Sequence, residues 1–149
     1  MANFSSAQLR SLIHGAYTLI EWHKPRGVVR TPQVAGRFML IDGAVATIWR
    51  DESEAAVQAT LAAFGRYTLT GDEFSYGYDE STAIAKTSAG VTVSREPLWK
   101  GMRRFRVVRE TDAVRLTASG GQEFLFAPEG LKYSEGGKLL RVWRRVEPN

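Results

Sequence analysis

Two-residue turn sequences recur along the chain between short segments of alternating apolar and polar residues. Asp42-Gly43 and Gly71-Asp72 each separate two such segments. Turns of this kind join antiparallel strands, and a period of two is typical of a strand that buries one face. The sequence therefore predicts a series of antiparallel hairpins.

We predict eight to ten short strands, spaced at about 8 to 12 residues. The clearest segments lie at 16–23, 34–41, 44–50, 66–70, 73–78, 100–109, 113–118, 122–127 and 138–146, with shorter ones near 91–94 and 131–133. Residues 25–32 and most of 81–97 are expected to form loops. Consecutive tight hairpins favour an up-and-down antiparallel barrel, and about eight strands enclose room for one small ligand.

Two helices are expected beside the strands. The first is a short helix over residues 4–13, where Ser5 and Gln8 have the spacing of a capping box.

The second helix is predicted near residues 52–64, as an insertion after the third strand. Asp51 can cap its first turn, and Val57, Leu61 and Phe64 have the spacing of one helical stripe. The fold class is thus mainly β, with one short N-terminal helix and one inserted helix.

Composition narrows the functional classes. The 149 residues, of which 44% are hydrophobic and 24% charged, suit one domain over 1–149. The absence of cysteine excludes disulfides, cysteine-ligated metals and a cysteine nucleophile. With only two histidines, no metal site and no cofactor are expected. We find neither a membrane span nor a secretory signal, so we expect a cytoplasmic location.

The net charge of +4 is unevenly distributed. Basic residues concentrate in 95–109 and 138–145, which indicates either an anionic partner or strands with basic outer faces. Trp99 and Phe105 lie within the first basic segment and could stack on single-stranded nucleic acid. Strand alternation points these rings away from the exposed arginines, which makes a nucleic-acid partner the remote alternative.

Several short motifs together resemble the bacterial lipocalin-like domain family of the calycin group. They are Gly15-Ala16-Tyr17-Thr18-Leu19, Gly36-Arg37-Phe38 with Asp42-Gly43, Ala63-Phe64-Gly65-Arg66-Tyr67, Arg103-Arg104-Phe105 and Val142-Trp143-Arg144-Arg145-Val146. Tyr17 stands where the lipocalin pattern has tryptophan. The resemblance covers about residues 9–146 and implies an eight-stranded barrel with a central cavity, in a group that includes ligand carriers and natural-product cyclases.

Strand alternation places several polar and aromatic side chains inside the predicted barrel. Trp99, Arg103 and Phe105 share one apolar face, and a buried arginine needs either a ligand oxygen or an internal acidic partner. On the strand at 73–78, the residues that share one face are Phe74, Tyr76 and Tyr78.

The first strand allows two registers. If Tyr17 faces inward, Glu21 and His23 share its face, about 6.6 Å apart along the strand, and could exchange protons with one substrate. Hydrophobicity alone favours the other register, with Ile20 and Trp22 inside.

These residues support three functional hypotheses. The leading one is cofactor-free cyclisation or isomerisation of a hydrophobic small molecule, with Glu21, His23, Arg103 and Tyr76 as catalytic candidates. The residues expected to contact the ligand are Tyr17, Met39, Trp49, Tyr67, Phe74, Tyr78, Trp99 and Phe105. The alternatives are a non-catalytic carrier with the same pocket and, more remotely, a nucleic-acid binder. The sequence leaves open whether the chain forms a homodimer.

Overall fold

Residues 5–147, which the computed structural model describes, form one α-helix and twelve β-strands. The elements are α1 (Ser6–Ile13), β1 (Gly15–Lys24), β2 (Gly27–Arg30), β3 (Val34–Ile41), β4 (Ala44–Glu54), β5 (Val57–Thr70), β6 (Glu73–Thr87), β7 (Gly90–Ser94), β8 (Arg103–Arg109), β9 (Val114–Thr117), β10 (Gln122–Ala127), β11 (Gly130–Glu135) and β12 (Lys138–Arg145).

Ten of these strands close into an antiparallel barrel. Neighbours follow the order β1, β3, β4, β5, β6, β8, β9, β10, β11, β12, and β12 pairs back onto β1 with Tyr17 opposite Arg145. Strands β2 and β7 lie outside this ring and extend its wall by pairing with β1 and β6. The prediction of an up-and-down barrel with up to ten strands is confirmed, and the closed barrel is consistent with a calycin-like fold.

The hairpin between β3 and β4 shows how local sequence sets this architecture. Asp42 and Gly43 have φ values of 48° and 85°, as a two-residue turn with two left-handed positions requires. On β3, Phe38 and Leu40 are buried whereas Arg37 and Ile41 are exposed. The turn and the alternation therefore agree on which face of the strand lines the interior.

The helix α1 lies over one end of the barrel. Ser5 and Gln8 form the predicted capping box, with both reciprocal hydrogen bonds present. Leu9 and Ile13 are buried in the core, and the Tyr17 hydroxyl donates to the Ile13 carbonyl oxygen at 2.7 Å. The short helix is thus confirmed over residues 6–13, while position 4 lies outside the described residues.

The predicted inserted helix is wrong. Residues 44–54 and 57–70 are the paired strands β4 and β5, joined by a two-residue turn. Only Leu61 of the expected helical stripe points inward, whereas Val57 and Phe64 are exposed. Helical propensity and spacing are weak preferences, and main-chain pairing with β6 on the other side outweighs them here.

Three loop boundaries also differ from the prediction. Residues 81–87 continue β6, and the loop over 25–32 contains the short strand β2. The strand expected from residue 100 begins at Arg103, because Trp99, Lys100 and Gly101 form bends.

Candidate functional site

The interior of the barrel contains a cavity of about 290 Å³ that is partly open to solvent. The side chains in its wall come from strands all round the ring and from the segment before β8. They are Phe38, Thr47, Trp49, Leu61, Tyr76, Tyr78, Leu98, Trp99, Arg103, Phe124, Leu131, Tyr133, Glu135, Arg141 and Trp143.

Aromatic rings form most of one wall. Tyr76 packs edge-on against Trp99, with ring centroids 5.1 Å apart, and Tyr78 lies 5.2 Å from the same indole. Phe124 joins this cluster through Tyr76 at 5.8 Å. Rings that pack against one another hold each other in place, so the cavity has a preformed apolar surface.

Arg103 reaches the cavity because of the alternation of β8. Phe105 and Val107 on the same face are buried, while Arg104 and Arg106 are exposed. The guanidinium of Arg103 lies over the Trp99 indole, 4.0 Å from the ring centroid. The predicted inward face of β8 is therefore observed.

A second arginine, Arg141 on β12, also lines the cavity. Its guanidinium lies 4.9 Å from the ring centroid of Tyr133 and 5.2 Å from that of Trp22. Burial lowers the pKa of Arg141 from its ordinary value. Sequence reasoning missed this residue, although an inward Trp143 two positions later implies the same face for Arg141.

Glu135 is a carboxylate in the wall, at the end of β11. The Tyr133 hydroxyl donates to its Oε1 atom at 2.6 Å. Burial and this hydrogen bond raise the pKa of Tyr133 above its ordinary range. The prediction ended this strand at Tyr133; Glu135, two residues further along the same face, is exposed and borders the cavity.

The other two tyrosines of the wall are also held neutral. Burial raises the pKa of Tyr76 to about 12, against an opposing effect of Arg103, and burial raises the pKa of Tyr78 as well. At neutral pH these hydroxyls are therefore hydrogen-bond donors rather than bases. Glu135 is the carboxylate among the residues in this wall.

The segment before β8 carries Leu98 and Trp99 into the cavity wall. Its start is held by the Ser81 hydroxyl, which donates to the Glu96 carbonyl oxygen at 2.9 Å. The Trp99 Nε1 atom is buried and has no hydrogen-bond acceptor within residues 5–147.

Glu21 and His23 are not among the residues that line the cavity, so the register that would place both of them inside is not observed. Tyr17 and Leu19 point inward as required, but a β-bulge between Leu19 and Glu21 shifts the pairing with β12. The extra residue brings Trp22 to the inner face, where it packs edge-on against Trp49 at 5.0 Å. Nothing in the alternation of a single strand marks such a bulge.

Glu21 and His23 remain close to each other on the outer side. The His23 Nε2 and Glu21 Oε1 atoms are 3.0 Å apart, and Arg30 lies 3.3 Å from the same carboxylate. The hydrogen bond with His23 is the main cause that lowers the pKa of Glu21. This is a surface ion-pair cluster with no access to the barrel interior.

The structure separates the remaining predicted residues into two groups. Trp49, Tyr76, Tyr78, Trp99 and Arg103 meet at the cavity. Those placed elsewhere are Tyr17 beneath α1, Tyr67, Phe74 and Phe105 in the packed core, and Met39 in a groove on the outer face. Ligand contact by any of them stays a prediction.

Comparison with protein families finds no match for this chain, and no curated protein is significantly similar to it in sequence. In the part of the chain that the structure describes, no three acidic or histidine side chains are grouped as metal ligands. Between residues 5 and 147, no helix is long and apolar enough to cross a membrane.

Proposed function

We propose that the protein binds a hydrophobic small molecule inside the barrel and promotes its cofactor-free cyclisation or isomerisation. The family resemblance further suggests a bacterial lipocalin-like protein that acts in a natural-product pathway. The observation that carries the proposal is the convergence of Arg103, Arg141, Glu135 and Tyr133 on one aromatic cavity. A pocket that binds only a neutral apolar molecule needs no such grouping of charged and proton-bearing groups.

Each part of the wall has a chemical task in this proposal. The rings of Tyr76, Trp99 and Phe124 restrict the conformations of a flexible substrate, which lowers the entropic barrier to ring closure. A guanidinium stabilises negative charge that develops on a substrate oxygen. Glu135 accepts a proton, and the neutral Tyr133 hydroxyl orients its carboxylate.

A carrier that binds the same molecule without reaction is the second candidate. The mainly aromatic wall supports binding in either case. Against a nucleic-acid binder, Phe105 is buried and Trp99 lines the interior, so neither ring forms a platform beside the exposed Arg104.

Native mass spectrometry of the protein purified from its own host tests for a bound small molecule. We expect a mass shift that Leu61→Trp abolishes by filling the cavity, whereas Ala62→Val, at an exposed position of the same strand, leaves it unchanged. Circular dichroism checks that both variants fold. A mass shift retained by a folded Leu61→Trp variant would place the ligand outside the barrel.

Turnover distinguishes the enzyme from the carrier. Once the bound molecule is identified, Glu135→Gln should bind it normally and convert it at least roughly a hundredfold more slowly, as expected for loss of a general base. If the wild-type protein releases the molecule unchanged, the protein is a carrier.

A further inference from the structure

Two arginines line the cavity without an acidic partner among the described residues. Arg103 and Arg141 come from β8 and β12, with three strands of the ring between them. Both guanidiniums nevertheless line the same cavity, and both oppose the effect of burial on the pKa of Tyr76 and Tyr78. The two positive groups therefore converge on one region of the lumen.

Aromatic stacking holds both guanidiniums by their faces. Arg103 lies over Trp99, and Arg141 lies over Tyr133 and Trp22. A guanidinium that stacks by its face keeps its donors at the edge. Within residues 5–147, neither arginine has a carboxylate oxygen within 4.0 Å, although other arginines of the barrel do, such as Arg115 with Glu110 and Glu123.

The charge of the wall is not balanced. Among the described residues that line the cavity, two are arginines and one is a glutamate. Glu135 accepts from the Tyr133 hydroxyl rather than from either guanidinium. A buried cation without a partner is costly, and a single negative charge in the lumen would remove that cost.

The rings beside these arginines define the rest of the site. Trp99 carries Arg103 on its face, and its own Nε1–H group is enclosed by the protein. Two guanidiniums in the wall of a mainly aromatic cavity suit a molecule with an apolar body and one acceptor-rich head group.

We propose that the natural ligand is an aromatic or otherwise hydrophobic monoanion, whose carboxylate or similar head group is held between Arg103 and Arg141. The apolar body of the ligand lies against the rings of Tyr76, Trp99 and Phe124. This inference rests on the proposed binding function and specifies the substrate class of that site.

A matched pair of fluorescent dyes tests it. Phenylnaphthylamine is neutral, and anilinonaphthalene sulfonate adds one sulfonate to the same skeleton. We expect the wild-type protein to bind the sulfonate at least about tenfold more tightly, the factor expected for charge-assisted hydrogen bonds. Arg103→Met and Arg141→Met should each lose most of that preference and keep their affinity for the neutral dye.

Arg104→Met is the matched control, because Arg104 neighbours Arg103 on β8 but is 79% exposed. It should bind both dyes like the wild type. Sodium sulfate at millimolar concentration supplies the head-group chemistry without an apolar body, and it should not displace the sulfonated dye. Full displacement by sulfate would identify a site for free inorganic anions and overturn the proposal.

The remaining outcomes separate the inference from the function on which it rests. Equal affinity of the wild-type protein for the two dyes, or equal loss of both dyes in the arginine variants, rejects the anionic ligand but leaves lumenal binding intact. Failure of the wild-type protein to bind either dye rejects the cavity as a binding site, and the anion proposal with it.

Discussion

Arg141 and Arg145 lie on the same face of β12, yet their surroundings differ completely. Arg145 donates to the His14 carbonyl oxygen at 2.8 Å and also to that of Leu12, so it satisfies main-chain acceptors at the end of α1. Arg141 has aromatic faces around it and no such acceptor in the described chain. Position along one strand thus separates an arginine that closes the barrel end from one that lines the cavity.

The ion pair of Asp51 with Lys24 should make stability depend on pH in the acid range. Burial acts to raise the pKa of Asp51, but hydrogen bonds from Lys24 and Ser53 outweigh it and hold that pKa below its ordinary value. A carboxyl with a lowered pKa in the folded state stabilises the protein above its unfolded pKa of about 3.9. The contribution disappears as the pH falls through the lower, folded value.

We therefore expect Asp51→Asn to reduce the free energy of unfolding near neutral pH, and the variant and wild type to converge below about pH 4. Urea denaturation across this range measures the difference. Glu54→Gln, at an exposed position of the same strand, is the control and should be about as stable as the wild type throughout this range. A difference for Asp51→Asn that is constant with pH contradicts the ionic explanation.

At the scale of elements, turns and alternation were sufficient to predict most strands. β3 and β10 have their predicted bounds, and β9 and β12 agree with theirs to within one residue at each end. The error at 52–64 arose because alanine-rich segments favour a helix in isolation, whereas β5 gains hydrogen bonds from strands on both sides. Such long-range pairing has no local signal.

The site was predicted less completely than the fold, for two physical reasons. Arg103, Tyr76 and Tyr78 followed from alternation within the predicted parts of β8 and β6. The bulge in β1 produced an arrangement outside the two registers considered, in which Tyr17 and Trp22 both face inward. A bulge adds one residue where the closed ring must bend, and single-sequence periodicity does not contain that requirement.

β5 and β6 approach each other so closely at Gly65 that this position has no room for a side chain. A Cβ atom at Gly65 would lie 1.9 Å from the main-chain oxygen of Gly77, next to a register shift between the strands. Because a main-chain atom cannot move aside alone, Gly65→Ala should cost roughly 3 kcal/mol of unfolding free energy.

Thermal and urea denaturation of Gly65→Ala measure this cost, and Ala62→Val on the exposed face of the same strand is the control. We expect the control to change stability by less than about 0.5 kcal/mol. An alanine at 65 tolerated as well as the control would show that the two strands can separate there freely.

For the molecule as a whole, burial of tyrosine predicts a limit to stability at high pH. Burial raises the pKa of both Tyr17 and Tyr76 to about 12, and it also raises the pKa of Tyr78 and Tyr133. The unfolded chain ionises its tyrosines near pH 10, so the folded state loses relative stability as the pH rises above about 10. Below that pH the contribution is fully present.

We expect the phenolate absorbance of these four tyrosines to appear together with the loss of near-ultraviolet circular dichroism. The urea-denatured protein should instead titrate all five tyrosines of the chain near pH 10. Ionisation of four tyrosines near that pH in a protein with intact dichroism would contradict the buried environment described for them.

The pairing of β1 with β12 has a consequence for how the protein is made. The ring joins strands from opposite ends of the described chain, so a ribosome must complete β12 before β1 gains its last neighbour. Until then the nascent sheet exposes two unpaired edges, which are prone to pair with other chains. Slow translation should therefore prolong the time during which unpaired strand edges can cause aggregation. A chaperone that covers these edges should reduce that aggregation.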